Sequence, residues 1–185
     1  GQVSVALDRQ LDREVAFKEL LTYHADERDT RARFELEARV TGALEHPGIV
    51  PVYSLGHNGR GQPYYAMRFV RGQNLREAIM RLHGGEGKRA HIADPLELRR
   101  LLGCFIDVCY AIHYAHSRGV LHRDIKPHNI LVGDFGETLV VDWGLAKPLG
   151  EAASGDDMPT VAVNPLRVGS SDDTHLGSVV GTPNY

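Results

Sequence analysis

The chain of 185 residues is poor in sulfur and in large aromatics, with two cysteines, three methionines and one tryptophan. Two thiols are too few for the disulfide frameworks that hold small secreted domains together. Cys104 and Cys109 stand five positions apart in an apolar stretch, which puts them on different parts of a helix surface. Both are therefore expected as buried thiols, in a reducing, cytoplasmic setting, rather than as a bridge or a metal pair. No run of about 18 apolar residues occurs, so no segment of this stretch is long and apolar enough to cross a membrane as a helix. An anchor elsewhere in a longer protein remains compatible with that. No signal-peptide pattern opens the chain. Neither sign of charge is in excess: 21 Lys and Arg against 24 Asp and Glu leave a formal charge of -3. Phosphate backbones are bound by basic faces, so no nucleic-acid partner is expected. What is present, 42% hydrophobic and 24% charged residues, suits one globular domain with a real core.

Hydrophobic periodicity predicts an α+β chain. Alternating runs at residues 1–6 and 13–20 flank a turn-like segment at 8–12, giving a hairpin with Lys18 on its second strand. Residues 26–44 are charged but space Phe34, Ala38, Thr41 and Leu44 as a helix does, and His46-Pro47-Gly48 ends it. Glu37 then faces the sheet with Phe34 and Thr41. Residues 49–55 and 64–70 form a second hairpin around His57-Asn58-Gly59-Arg60-Gly61. Arg71-Gly72-Gln73 follows as a connector, and Asn74 caps a short helix over residues 75–82. The glycine-rich, basic stretch 83–93 is expected as a solvent loop. Pro95 starts a long amphipathic helix to Ser117, with Leu98, Leu101, Leu102, Phe105, Val108, Cys109, Ile112 and Ala115 on its apolar side. Residues 130–132 and 138–141 make a third hairpin, which delivers Asn129 and Asp142 to the same mouth. Residues 150–174, poor in aromatics and rich in Gly, Ser, Asp and Pro, are expected to be mobile.

The polar residues concentrate in two tracts, His122-Arg123-Asp124-Ile125-Lys126-Pro127-His128-Asn129 and Asp142-Trp143-Gly144. They gather a candidate base, a cation and two oxygen donors for a hard metal ion, which is the equipment of phosphoryl transfer. Upstream stand Val15-Ala16-Phe17-Lys18 and Phe34-Glu35-Leu36-Glu37-Ala38. A lone Asp or Lys is ordinarily a solvated surface charge; the matched spacing of the set makes that reading untenable. In order and spacing these tracts resemble the eukaryotic-like serine/threonine protein kinases, of bacterial style, with Lys126 marking the serine/threonine branch.

The resemblance implies a bilobal fold, with a small antiparallel-sheet lobe and one helix at residues 1–70, then a hinge and a mainly helical lobe from residue 71 to 185. It implies ATP and Mg2+ as cofactors and a protein hydroxyl as acceptor. Asp124 would be the base, Lys126 would steady the transferring phosphate, and Asn129 and Asp142 would hold the metal. Lys18, kept in place by Glu37, would bind phosphates. Val3, Ala16 and Leu131 would enclose the adenine, Met67 would close the back of the pocket, and the backbone of Arg68 to Val70, with Phe69 between them, would bond the base edge. Trp143 stands where the family usually has phenylalanine and should pack on His122 and on the helix of Glu37. His128, where glutamate is common, reads as surface variation. Arg123 would pair with a phosphorylated residue, Thr174 or Ser178, added in trans by a second copy, whereas Thr182 would bond to Asp124 and Lys126. Gly1-Gln2-Val3 reads as the end of a glycine-rich loop and Gly181-Thr182-Pro183-Asn184-Tyr185 as the approach to an A-P-E tract. The expectation is thus a kinase domain cut at both ends, poorly soluble and weakly active by itself. A nucleotide-binding scaffold without catalysis is the alternative, disfavoured by the intact Lys18, Glu37, Asp124, Asn129 and Asp142. A small-molecule kinase is disfavoured by Lys126 and the tract 181–183.

Overall fold

In the computed structural model, residues 1–21, 28–84 and 95–148 are described. Strands β1 (Gln2–Asp8) and β2 (Arg13–Glu19) form the first hairpin, as expected. Asp8 shapes its turn, for its Oδ1 accepts the backbone N–H groups of Gln10 and Leu11 at 3.1 and 3.3 Å. Helix α1 (Arg28–Ala43) buries Phe34, Glu37, Ala38 and Thr41, the i, i+3, i+4, i+7 face predicted to meet the sheet. Strands β3 (Val52–His57) and β4 (Pro63–Arg68) complete an antiparallel sheet of order β1-β2-β4-β3. The turn between them is set by Asn58, whose Oδ1 accepts from the Arg60 and Gln62 N–H groups, each at 3.0 Å. Phe34 and Ala38 pack with Leu20 and Tyr65 into a small core between α1 and this sheet.

The connector after β4 becomes a third edge rather than a free link. Strand β5 (Gly72–Asn74) pairs with a later strand, and Gly72 is required there. Its φ is +150°, and a Cβ would lie 2.2 Å from the Val132 carbonyl oxygen. Asn74 caps helix α2 (Leu75–Leu82) as predicted. Its side chain accepts the Glu77 N–H at 2.9 Å while Glu77 accepts the Asn74 N–H at 3.1 Å, a reciprocal capping box. The predicted loop at 83–93 falls mostly outside the described residues.

Helix α3 (Pro95–Ser117) has the predicted bounds and only part of the predicted facing: Leu98, Leu101, Val108, Ile112 and Ala115 turn to the core. Leu101, Cys104, Val108, Ala111 and Ala115 are buried, whereas Leu102 and Phe105 are 53% and 62% exposed and Cys109 is exposed. The expected burial of Leu102, Phe105 and of the Cys109 thiol is therefore corrected. The helix carries two apolar stripes, and only the one through Leu101 and Val108 meets the described core. Past β6 (Val120–Leu121) and a 3-10 turn at Pro127–Asn129, strands β7 (Ile130–Gly133) and β8 (Thr138–Val140) make the third hairpin, joined by β5 in the order β5-β7-β8. Strand β9 (Lys147–Pro148) pairs with β6. The loop after α1 is tied to β8, with Val140 N–H donating to the Gly48 carbonyl at 2.8 Å and Val50 N–H to that of Val140 at 3.3 Å. Those two bonds set α1 over the tract that holds Asp142. Thr174, Ser178, Thr182 and the stretch 150–174 lie outside the described residues.

Candidate active site

Between β6 and β7 the chain makes a loop organised by a buried imidazole. Asp124 N–H donates to His122 Nδ1 at 3.2 Å, and Nε2 lies 3.2 Å from the Val141 carbonyl, to which it must donate. The ring is therefore neutral with its proton on Nε2. Burial holds its pKa below the ordinary histidine value, outweighing the Val141 bond and the charges of Asp142 and Asp124. One ring thus joins the backbone of Asp124 to the residue before Asp142. Arg123 and Asp142 both have left-handed backbone, φ 64° and 63°, a conformation costly to residues with a Cβ. The Arg123 Nε donates to the Leu145 carbonyl at 2.7 Å, which helps hold that turn.

Asp124, 9% exposed, is the centre of the first cluster. Its Oδ2 accepts from Lys126 Nζ at 2.8 Å and from Asn129 Nδ2 at 3.1 Å. Asn129 Nδ2 also donates to the Asp124 carbonyl at 3.0 Å. The amide nitrogen is therefore committed inward, and its oxygen is the remaining donor atom. Pro127 opens the 3-10 turn that delivers Asn129, and Val141 N–H returns to the Asn129 carbonyl at 2.9 Å.

The second cluster is built by the first sheet and α1. Lys18 Nζ donates to Glu37 Oε1 at 2.6 Å and lies 3.6 Å from Asp142 Oδ1. Glu37 is 6% exposed, while the Asp142 side chain is 48% exposed, so one carboxylate is buried against the cation and the other faces solvent. A Cβ at Gly144 would sit 3.4 Å from Glu37 Oε2 and 3.5 Å from Asp142 Oδ1, so both acids flank this glycine. The polar residues predicted for the site thus fall into two clusters, joined through His122 and the tract 141–142. Of the apolar candidates, Val3 is 54% exposed and pairs with Lys18 across β1 and β2. Ala16 is buried and pairs with Met67, which is half-buried on β4. Leu131 is half-buried on β7, and Phe69 and Val70 are half-buried between β4 and β5. Arg68 N–H donates to the Pro51 carbonyl at 3.0 Å.

Residues 1–185 match the protein kinase domain throughout. The chain belongs to that family. This kinase domain is 37% identical over 185 residues, its whole length, to the serine/threonine-protein kinase PknD of Chlamydia pneumoniae. It is 36% identical over 187 residues to the PknD of Protochlamydia amoebophila and 37% over 188 to that of Chlamydia trachomatis serovar L2b, again over all of its length. It spans about a fifth of these relatives, 19% of the first two and 20% of the third.

Two side chains of the kinase domain extend the site beyond the motif residues. Trp143 is 1% exposed and packs on His122 with ring centroids 4.5 Å apart, in the core that includes Val40 of α1. That is the packing predicted for it, although its Nε1 has no hydrogen-bond partner among the described residues. His128 is exposed, as a surface variation should be. Tyr65 was not foreseen. Its hydroxyl donates to Glu37 Oε1 at 2.7 Å, and burial, then the charge of Glu37, pushes its pKa far above the usual phenol value. In the sequence it is one of several aromatics in an apolar run; only the pairing of Lys18 with Tyr65 across β2 and β4 reveals its place. Among the described residues no helix is long and apolar enough to cross a membrane.

Proposed function

We propose that this domain transfers the terminal phosphoryl group of ATP to serine or threonine hydroxyls of a protein substrate. Residues 1–70 act as the nucleotide-covering lobe, and those from 71 onward as the hinge and the lobe carrying the base. The reading is supported most by Lys18, which reaches Glu37 at 2.6 Å and Asp142 at 3.6 Å in one cluster. A cation between a buried and an exposed carboxylate is held by the first and ready to share phosphate with whatever the second binds. Asp124 accepts the proton of the attacking hydroxyl as its oxygen bonds to phosphorus and the bond from phosphorus to the β-phosphate oxygen breaks, releasing ADP. Lys126 and Asn129 fix the plane of that carboxylate, and Lys126 neutralises charge on the transferring group. Val3, Ala16, Leu131 and Met67 supply the apolar walls for adenine, and the backbone of Phe69 and Val70 its edge contacts.

The donor set fits a magnesium ion. Asp142 offers a half-exposed carboxylate and Asn129 an amide oxygen, and no three His, Cys, Asp or Glu side chains cluster as a metal site among the described residues. Two oxygen donors with the rest supplied by phosphate and water is the coordination magnesium accepts. When bound, magnesium would neutralise charge on the phosphates. The acceptor is a protein, including a second copy of this chain, with Thr174 and Ser178 as the acceptor hydroxyls.

The test is phosphate transfer from labelled ATP by the full-length protein, followed by identification of the modified residue type. Transfer to serine or threonine is expected, with turnover lowered about 10²–10⁴-fold by Asp124→Asn while nucleotide still binds. Label on tyrosine alone, or equal turnover in the variant, would overturn the reading.

A further inference from the structure

Glu37 carries two donors on one oxygen. Lys18 Nζ at 2.6 Å and the Tyr65 hydroxyl at 2.7 Å both reach Oε1. The two are not equivalent. The ammonium also lies 3.6 Å from Asp142 and, in the function proposed above, is drawn toward phosphate. The phenol is committed: Tyr65 is 3% exposed, with its ring against Phe34 at a centroid distance of 5.2 Å and the Lys18 ammonium 5.7 Å from its face. A buried carboxylate is costly unless its partners stay. With Lys18 as its only donor, Glu37 would lose hydrogen bonding whenever that cation turned to a nucleotide.

Resting on the kinase reading, we propose that Tyr65 is a positioning residue that holds Glu37, and with it helix α1, against the sheet independently of Lys18. The bond runs from β4 to the middle of α1, so it fixes the helix to a strand by a neutral donor that has no role in binding phosphate. Its strongly raised pKa keeps that donor protonated across the working range. The consequence is a nucleotide-binding pair assembled before the nucleotide arrives.

Tyr65→Phe keeps the ring and deletes only the hydroxyl, whereas Tyr65→Leu deletes both. In the full-length protein, Tyr65→Phe is expected to weaken binding of a fluorescent ATP analogue with Mg2+ about tenfold, the worth of one hydrogen bond to a charged acceptor. It should also raise amide hydrogen exchange across Arg28–Ala43 while leaving the β7–β8 hairpin unchanged. On a Glu37→Leu background the same change should cost nothing further, because the carboxylate it acts through is gone. Wild-type affinity and exchange in Tyr65→Phe alongside impaired Tyr65→Leu would reduce the role to ring packing and overturn the proposal. So would an undiminished tenfold loss on the Glu37→Leu background. A wild-type protein that neither binds the analogue nor transfers phosphate would sink the kinase reading and this inference together. A working wild type with an unaffected Tyr65→Phe would sink the inference alone.

Discussion

The two halves of the site are built on different principles. Asp124 is held by Lys126 and Asn129, two and five positions along the chain. Glu37 is held by Lys18 and Tyr65, 19 and 28 positions away and on two different strands. The first half is a loop that braces itself with short-range polar bonds, so its geometry depends on residue identity. The second exists only when helix α1 lies on the sheet, so its geometry depends on packing. A polar substitution should therefore disable the first half without moving it, and an apolar substitution should dismantle the second without touching a polar group.

The largest test of that contrast is Phe34→Ala. Phe34 is 5% exposed on the sheet-facing side of α1 and packs at a tilt on Tyr65, but its side chain makes no hydrogen bond to the site. Truncating a buried phenylalanine costs about 3–5 kcal/mol. Denaturant unfolding should show that loss, and nucleotide binding should fall with it, because Glu37 sits one turn along the same buried face. Phe34→Ala with full stability and full affinity would mean that the small core does not hold the pair. Asp124→Asn is the complement: activity should go while the unfolding midpoint stays nearly in place.

The same division explains what could be read without coordinates. Asp124, Lys126 and Asn129 could be grouped from the sequence because their relations are local, and so could the start of α3 at Pro95 and the cap of α2 at Asn74, which depend on one residue each, whereas Lys18, Glu37 and Asp142, which meet from distant segments, were grouped only through the family resemblance. Tyr65 was not, since its significance comes from strand register, and register is a property of two strands at once. The short pairings of β5 with β7 and β6 with β9 escaped for a related reason: strands of two or three residues carry no period. The predicted core side of α3 is too wide by Leu102, Phe105 and Cys109 because both its stripes are apolar, and periodicity cannot say where the core ends.

A smaller effect should come from His122, the ring that joins Asp124 to the Asp142 tract. Its pKa is lowered by burial from an ordinary value of 6.5. The unfolded chain then binds the proton more readily than the folded one, so the contribution to stability is present above about pH 6.5 and is lost as pH falls from there through the lowered folded value. Melting curves from neutral to mildly acid pH should show this loss, and His122→Phe, less stable overall because the Asp124 N–H and Val141 carbonyl lose their partner, should show a flatter dependence. Identical slopes in the two proteins would mean that the ring titrates equally in both states. Imidazole nitrogen resonances should report the Nε2-protonated form down to a pH below the usual histidine range.

The smallest effect, and the sharpest contrast, is expected across α3 itself. Leu101 is 8% exposed and Phe105 is 62% exposed, one turn apart on either side of the edge between the buried and exposed stripes. Leu101→Ala should cost about 2–5 kcal/mol, as buried leucines do. Phe105→Ser should shift the stability of this chain by no more than about 0.5 kcal/mol, the range for surface changes away from special features. Leu102, Ile106 and Tyr110 continue the exposed stripe at 53%, 51% and 64%. A row of exposed apolar side chains favours association, so Phe105→Ser should raise the soluble yield of this chain even though it leaves the unfolding midpoint alone. Should Phe105→Ser instead cost as much as Leu101→Ala in a longer protein carrying this chain, the outer stripe is buried there, and both faces of α3 are core.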